Sequence, residues 1–266
     1  AEFTRVFTEK FPTHFGYVPS SVQFENGIFT VTITNKPREV AVNKKSSRAE
    51  RESNNENQTE QLQADALFIA TGITPNTDTL NLAATDIALD AKNFIKTDDH
   101  LMTTVPGIYA LGDCNGRYFF RHSVNFEGEY LMRTIYEQPS DEPIVYPPMP
   151  HAVFTNPQIA GVGATEQELK EQGIDYIAAR NDYKNSAMGG DALQSKHGFC
   201  KLLFDRKSKK LLGAHIIGRE ASDMIHMLIA FINMDATLDD MLRTIYIHPS
   251  LPEIVRNAAR KAKDLL

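Results

Sequence analysis

The sequence predicts a chain of mixed class, α/β in its first part and α+β in its second. Two apolar runs carry the α/β reading. Ala64–Ala70 and Ile108–Leu111 are near-continuous hydrophobic stretches, typical of buried parallel strands, that stop at Thr71-Gly72 and Gly112-Asp113. The α+β reading rests on the short strand-like and helix-like segments that follow residue 150. Between the two parts, residues 139–150 hold five prolines, the mark of a linker and a domain boundary.

Taken in order, the chain opens with a short helix around Phe3–Phe11, then strands near Val18–Phe24 and Ile28–Thr34. Glu25-Asn26-Gly27 joins those strands as a hairpin, because Asn-Gly accepts the positive φ such a turn needs. Residues 36–61 are polar and offer nothing to bury, so they read as a solvated loop or a disordered insertion. After the two apolar runs, His122–Tyr136 has helical character.

Beyond the prolines, strands are expected at Ala152–Phe154 and Ile159–Val162. Thr165-x-x-Glu168 then starts a helix as a capping box, and Gly173 should stop it. Further strands fall at Ile174–Ala178, Phe199–Phe204 and Leu211–Ile217, the last two flanking a turn. Ala221, Ile225, Leu228, Ile229 and Ile232 mark an amphipathic helix, and a shorter one starts near Thr237.

Composition excludes several functions. A formal charge of −6 over 266 residues argues against nucleic acid as the partner, since neutralising phosphates requires a basic surface. The one sizeable apolar run, Met224–Met234, contains His226 and Asn233 and is too short to span a bilayer. Glu2, Arg5, Glu9 and Lys10 interrupt any signal-peptide core, so a cytoplasmic protein is expected. Cys114 and Cys200 stand far apart in no metal-ligand spacing and read as small core residues. None of the eight histidines pairs at i, i+3 or i, i+4, so no metal site is expected.

The stretch with most chemical content is Tyr246-Ile247-His248-Pro249-Ser250-Leu251-Pro252-Glu253. Pro249 should hold His248 on extended backbone, and Pro252 suits the first turn of a helix. Leu251, Ile254, Val255, Ala258 and Ala259 give that helix an apolar stripe. In one reading Ser250 and Glu253 form a capping box and His248 is an ordinary loop residue. In the other, Glu253 holds one ring nitrogen of His248 and leaves the second for acid/base work. The pattern alone favours the first.

Read as a whole line, Thr103–Asp113 resembles the flavin-contacting motif of the pyridine nucleotide–disulfide oxidoreductases. Ala70-Thr71-Gly72-Ile73-Thr74-Pro75-Asn76 resembles that family's crossover from the NAD(P) domain back to the FAD domain. Phe154–Gly163, Gly198–Leu202 and Leu212–Gly218 match the strands of its interface domain. His248-Pro249-Ser250-Leu251-Pro252-Glu253 is similar to the His-Pro-x-x-x-Glu signature of dihydrolipoamide dehydrogenase, glutathione reductase and mycothione reductase.

The resemblance implies three pieces. Residues 1–69 would be the end of the NAD(P)-binding domain, with 36–61 inserted; 70–146 the second segment of the FAD-binding domain; and 147–266 a dimerisation domain. It implies FAD, with NAD or NADP, as cofactors. Gly112 and Asp113 would hold the ribityl chain, and the backbone at Phe120, Arg121 and His122 would meet the flavin. It further implies a homodimer through 147–266, with His248 and Glu253 reaching as an acid/base pair into the partner's site, and a small-molecule or protein-bound disulfide as substrate.

The sequence also departs from the family pattern. It holds no Gly-x-Gly-x-x-Gly turn and no Cys-x-x-x-x-Cys pair. The expectation is therefore a C-terminal part of a longer enzyme, inactive alone. A non-enzymatic dimerisation or binding module and a metal-ion reductase of the same family are the competing readings.

Overall fold

The computed structural model describes residues 2–35 and 58–266, which form two compact units. One comprises residues 7–73 and the other residues 2–6 with 74–266. Most of the polar stretch expected to be a loop, residues 36–57, lies outside the described residues.

After the opening helix α1 (Glu2–Thr8), the smaller unit is a three-stranded antiparallel sheet of β1 (Tyr17–Glu25), β2 (Ile28–Asn35) and β3 (Thr59–Ala64), in that order. The expected hairpin is present: Phe24 pairs with Phe29 and Glu25 with Ile28, around Asn26 and Gly27 at φ 53° and 81°. Two expectations fail here. Residues 58–61 do not continue a loop, because Thr59–Ala64 pairs along β2 from Thr34 to Phe29. Ala66–Ala70 is no buried parallel strand, for it has no ladder partner among the described residues and leaves Phe68 92% and Ile69 69% exposed. Hydrophobicity fitted the run for burial, but a strand also needs a neighbour.

The larger unit contains two cores. The first gathers Leu101, Tyr130 and Ile144 around α2 (Arg121–Leu131), which continues into a wider π turn over Met132–Glu137. Ile108–Leu111, expected as a strand, is extended chain held by a single bridge from Tyr109 to Met102. The proline-rich linker is tied down rather than loose. The Ile144 N–H donates to the Asp99 carbonyl at 2.8 Å, and the Tyr130 hydroxyl to the Glu142 carbonyl at 2.7 Å.

The second core belongs to a five-stranded antiparallel sheet in the order β4-β5-β8-β7-β6. Its strands are β4 (His151–Val153), β5 (Gln158–Gly163), β6 (Tyr176–Asp182), β7 (Phe199–Asp205) and β8 (Leu211–Gly218). Helix α3 (Glu166–Glu171) starts at the predicted capping box, with the Glu168 N–H donating to the Thr165 hydroxyl at 3.2 Å. Strand β6 begins two residues later than predicted, because the Ile174 N–H still serves the end of α3 by donating to the Leu169 carbonyl. Helices α4 (Ala221–Asn233), α5 (Leu238–Arg243) and α6 (Glu253–Lys263) bury Leu228, Met241, Ile254, Val255 and Ala258 against the sheet. The mixed α/β and α+β class is as the sequence predicts. No helix among the described residues is long and apolar enough to cross a membrane.

Candidate functional site

The turn before α6 brings three donors to one carboxylate. Nδ1 of His248 lies 3.0 Å from Oε2 and 3.1 Å from Oε1 of Glu253. The Ser250 N–H donates to Oε2 at 3.1 Å, and Nη2 of Arg256 donates to Oε1 at 2.7 Å. Both sequence readings of this turn therefore draw on the same group. The capping box is only half made, since the Ser250 hydroxyl turns away to donate to the Ile247 carbonyl at 2.5 Å. The His248–Pro249 peptide is cis.

Exposure divides the pair. The Glu253 side chain is 4% exposed and that of His248 is 68% exposed. A carboxylate only accepts, so Nδ1 carries the proton toward Glu253, and Nε2 faces outward with its lone pair when the ring is neutral. Burial raises the Glu253 carboxyl, but the Ser250 N–H, the His248 bond and the charges of His248 and Arg256 outweigh it, holding the group below its usual value. Arg256 is the member that the sequence reading missed. It sits one helical turn after Glu253, an i, i+3 spacing that could have revealed it.

The second cluster surrounds Gly112-Asp113. Gly112 has φ +75°, and a Cβ there would fall 2.7 Å from Cγ2 of Val124, so only glycine fits the turn. Its N–H donates to the fully buried Glu127 at 2.5 Å. The other Glu127 oxygen accepts from the Tyr146 hydroxyl at 2.7 Å. Asp113 is exposed, and its carboxylate accepts no hydrogen bond among the described residues. Glu127 and Tyr146 were not legible as site residues, because they lie far from Gly112 along the chain.

The start of α2 holds the remaining candidates. Phe120 caps the helix from extended backbone, and the N–H groups of Arg121 and His122 find no acceptor among the described residues. The rings of Phe120 and His122 stack at 5.0 Å and 12°, and Nε2 of His122 lies 2.9 Å from the Pro150 carbonyl. An unpartnered carboxylate and unspent helix N–H groups suit a ligand that offers hydroxyls and an electron-rich edge, which is what a flavin with its ribityl chain presents. No hydrogen bond or ring contact among the described residues joins this cluster to His248.

Two family profiles cover most of the chain. "Pyridine nucleotide-disulphide oxidoreductase" matches residues 4–134, and "Pyridine nucleotide-disulphide oxidoreductase, dimerisation domain" matches residues 149–259. The chain belongs to the pyridine nucleotide-disulphide oxidoreductases. Members of this family are FAD- and NAD(P)-dependent disulfide oxidoreductases.

Among relatives, the chain is 37% identical to dihydrolipoyl dehydrogenase of Cupriavidus necator over 200 residues, 74% of the chain and 41% of the relative. It is 36% identical to mycothione reductase of Mycobacterium tuberculosis over 202 residues, covering 74% and 44% respectively. Its fold resembles the crystal structure of LpdA from Mycobacterium tuberculosis, with a TM-score of 0.81 at 22% identity over 99% of the chain and 52% of that protein. The HOCl-induced flavoprotein disulfide reductase RclA of Escherichia coli follows at a TM-score of 0.72 and 22% identity, covering 90% and 49%. The chain thus spans less than half the length of the curated relatives named here.

Proposed function

We propose that the chain supplies the flavin-ribityl contact and the subunit-crossing acid/base pair of an FAD-dependent, NAD(P)H-linked thiol–disulfide oxidoreductase of the dihydrolipoyl dehydrogenase kind. The observation that carries this reading is the His248–Glu253 pair, with Nδ1 held at 3.0 Å by a buried carboxylate and the rest of the ring open. The activity is that of the whole protein, because these 266 residues hold no Cys-x-x-x-x-Cys pair. In this reading residues 1–69 end the NAD(P) domain, 70–146 form the second FAD segment and 147–266 dimerise, in a cytoplasmic homodimer.

FAD, when bound, relays two electrons between the nicotinamide and the thiol pair. Asp113 would accept hydrogen bonds from the ribityl hydroxyls, and the unspent N–H groups at Arg121 and His122 would favour negative charge on the ring. His248 handles protons. Thiols titrate near about 8.5, so disulfide exchange at neutral pH needs a base for the incoming thiol and an acid for the leaving one. Nε2 of His248 takes the first proton and returns it in the second step, while Glu253 keeps the ring's angle and tautomer fixed.

In the whole protein, His248→Gln should leave the flavin spectrum intact and slow disulfide turnover by about 10²–10⁴-fold. Turnover within a few-fold of the unaltered protein would remove His248 from the chemistry. Sedimentation of the chain as a monomer at micromolar concentration would count against dimerisation through 147–266.

A further inference from the structure

The register of the large sheet sets two histidines face to face across a glycine. His151 on β4 is level with Gly161 on β5, and Gly161 is level with His215 on β8. A Cβ on Gly161 would lie 2.9 Å from Nε2 of His151 and 2.9 Å from Nδ1 of His215. With no side chain in between, both rings close over the middle strand, and their nitrogens are separated by at most twice that distance. Any larger residue at 161 would hold them apart.

The tautomer of His215 follows from its hydrogen bond. Nε2 lies 3.0 Å from the Ala164 carbonyl, which can only accept, so Nε2 carries the proton and Nδ1 keeps a lone pair on the Gly161 side. This is the outer hydrogen bond that orients metal-binding imidazoles. Burial pulls the His215 titration below its ordinary value against the Ala164 bond. Lys201 and His151 add to the fall, and Glu168 opposes it. Lys201 is ion-paired to Glu166 at 2.7 Å, and Glu168 is occupied by the α3 cap, so neither is left to fill the gap. The ring of His151 makes no hydrogen bond among the described residues.

We propose that His151 and His215 form a two-imidazole site for a divalent transition-metal ion of the zinc and nickel class, with water completing the coordination. Two nitrogen ligands select such ions over calcium or magnesium, which take oxygen ligands. Rotation of the half-buried rings would have to bring both nitrogens to the roughly 2.0–2.1 Å that zinc–imidazole bonds require. The site is independent of the disulfide chemistry proposed above.

The test is a calorimetric titration of Zn²⁺, and then Ni²⁺, into the 266-residue chain near neutral pH. The expected result is one saturable site that His151→Ala and His215→Ala each weaken by about tenfold or more. His100→Ala, which disrupts the exposed Asp98–Asp99–His100 cluster elsewhere on the molecule, should leave the site unchanged. His151 lies on the three-residue edge strand, so its variant decides the matter, with the metal-free melting temperature confirming that it folds. The absence of saturable binding, binding that survives His151→Ala, or binding that His100→Ala removes would each overturn the proposal.

Discussion

Tyr146 donates its phenolic proton to Glu127 at 2.7 Å, while the second oxygen of Glu127 takes the Gly112 amide at 2.5 Å. A residue of the proline-rich linker is thereby joined, through one buried carboxylate, to the turn that carries Asp113. Burial first, and then the bond to Glu127, hold the Tyr146 phenol protonated well above its usual range.

Tyr146→Phe should therefore lower the stability of the chain by about 1.5–3 kcal/mol, the usual contribution of a hydrogen bond to a charged group. Urea unfolding measures it. A loss below about half a kcal/mol would mean that Glu127 finds another donor.

Gly112→Ala should be costly in a different way. The left-handed backbone penalises any L side chain by roughly 1–2 kcal/mol, and the clash with Val124 adds to it. In the whole protein the same change should weaken FAD binding, read by flavin fluorescence, because Asp113 follows directly in the displaced turn. Unchanged flavin affinity alongside reduced stability would separate Asp113 from the cofactor.

Glu253 predicts an acid-side signature. Its folded-state carboxyl titrates below the ordinary 4.5, so its stabilising effect is complete above that pH and is lost as pH falls through it toward the folded value. Glu253→Gln should be less stable than the unaltered chain at neutral pH, and the two melting curves should converge in acid. Arg256→Met should leave the Glu253 carboxylate to His248 and the Ser250 N–H, and ¹⁵N NMR of the ring should register the change at Nδ1.

His215 predicts a second, milder limb. Its imidazole is held below 6.5, so the neutral ring stabilises the fold above that pH and the benefit is lost as pH falls through 6.5 to the folded value. His215→Gln, which can still donate to Ala164, should flatten the melting temperature across this window while leaving the Glu253 limb in place.

What could be read from the sequence was local. The Asn26-Gly27 hairpin and the Thr165/Glu168 cap involve residues within a turn of one another, and each is found at its predicted place. The Thr237–Asp240 cap starts the short helix predicted there. The contact between His248 and Glu253 was legible only as the second of two readings of one short turn. The failures were matters of partnership. Thr59–Ala64 carries almost no apolar pattern, yet pairs as a strand because β2 offers it a register. Ala66–Ala70 carries a strong pattern and pairs with nothing described. Glu127 beneath Gly112 and His151 opposite His215 depend on contacts between distant segments, which no spacing rule encodes.

The tether on Nδ1 of His248 has a kinetic consequence. Both Glu253 oxygens lie within hydrogen-bonding distance of that one nitrogen, so turning the ring over would break the bond and leave a carbon-bound hydrogen against the carboxylate, while moving the proton to Nε2 would set a bare lone pair there. Proton traffic at this imidazole is thus single-ported: each proton leaves through the same Nε2 edge by which it entered. In the proposed cycle both half-reactions would visit that edge in turn, and a bound molecule that caps Nε2 would stop both at once.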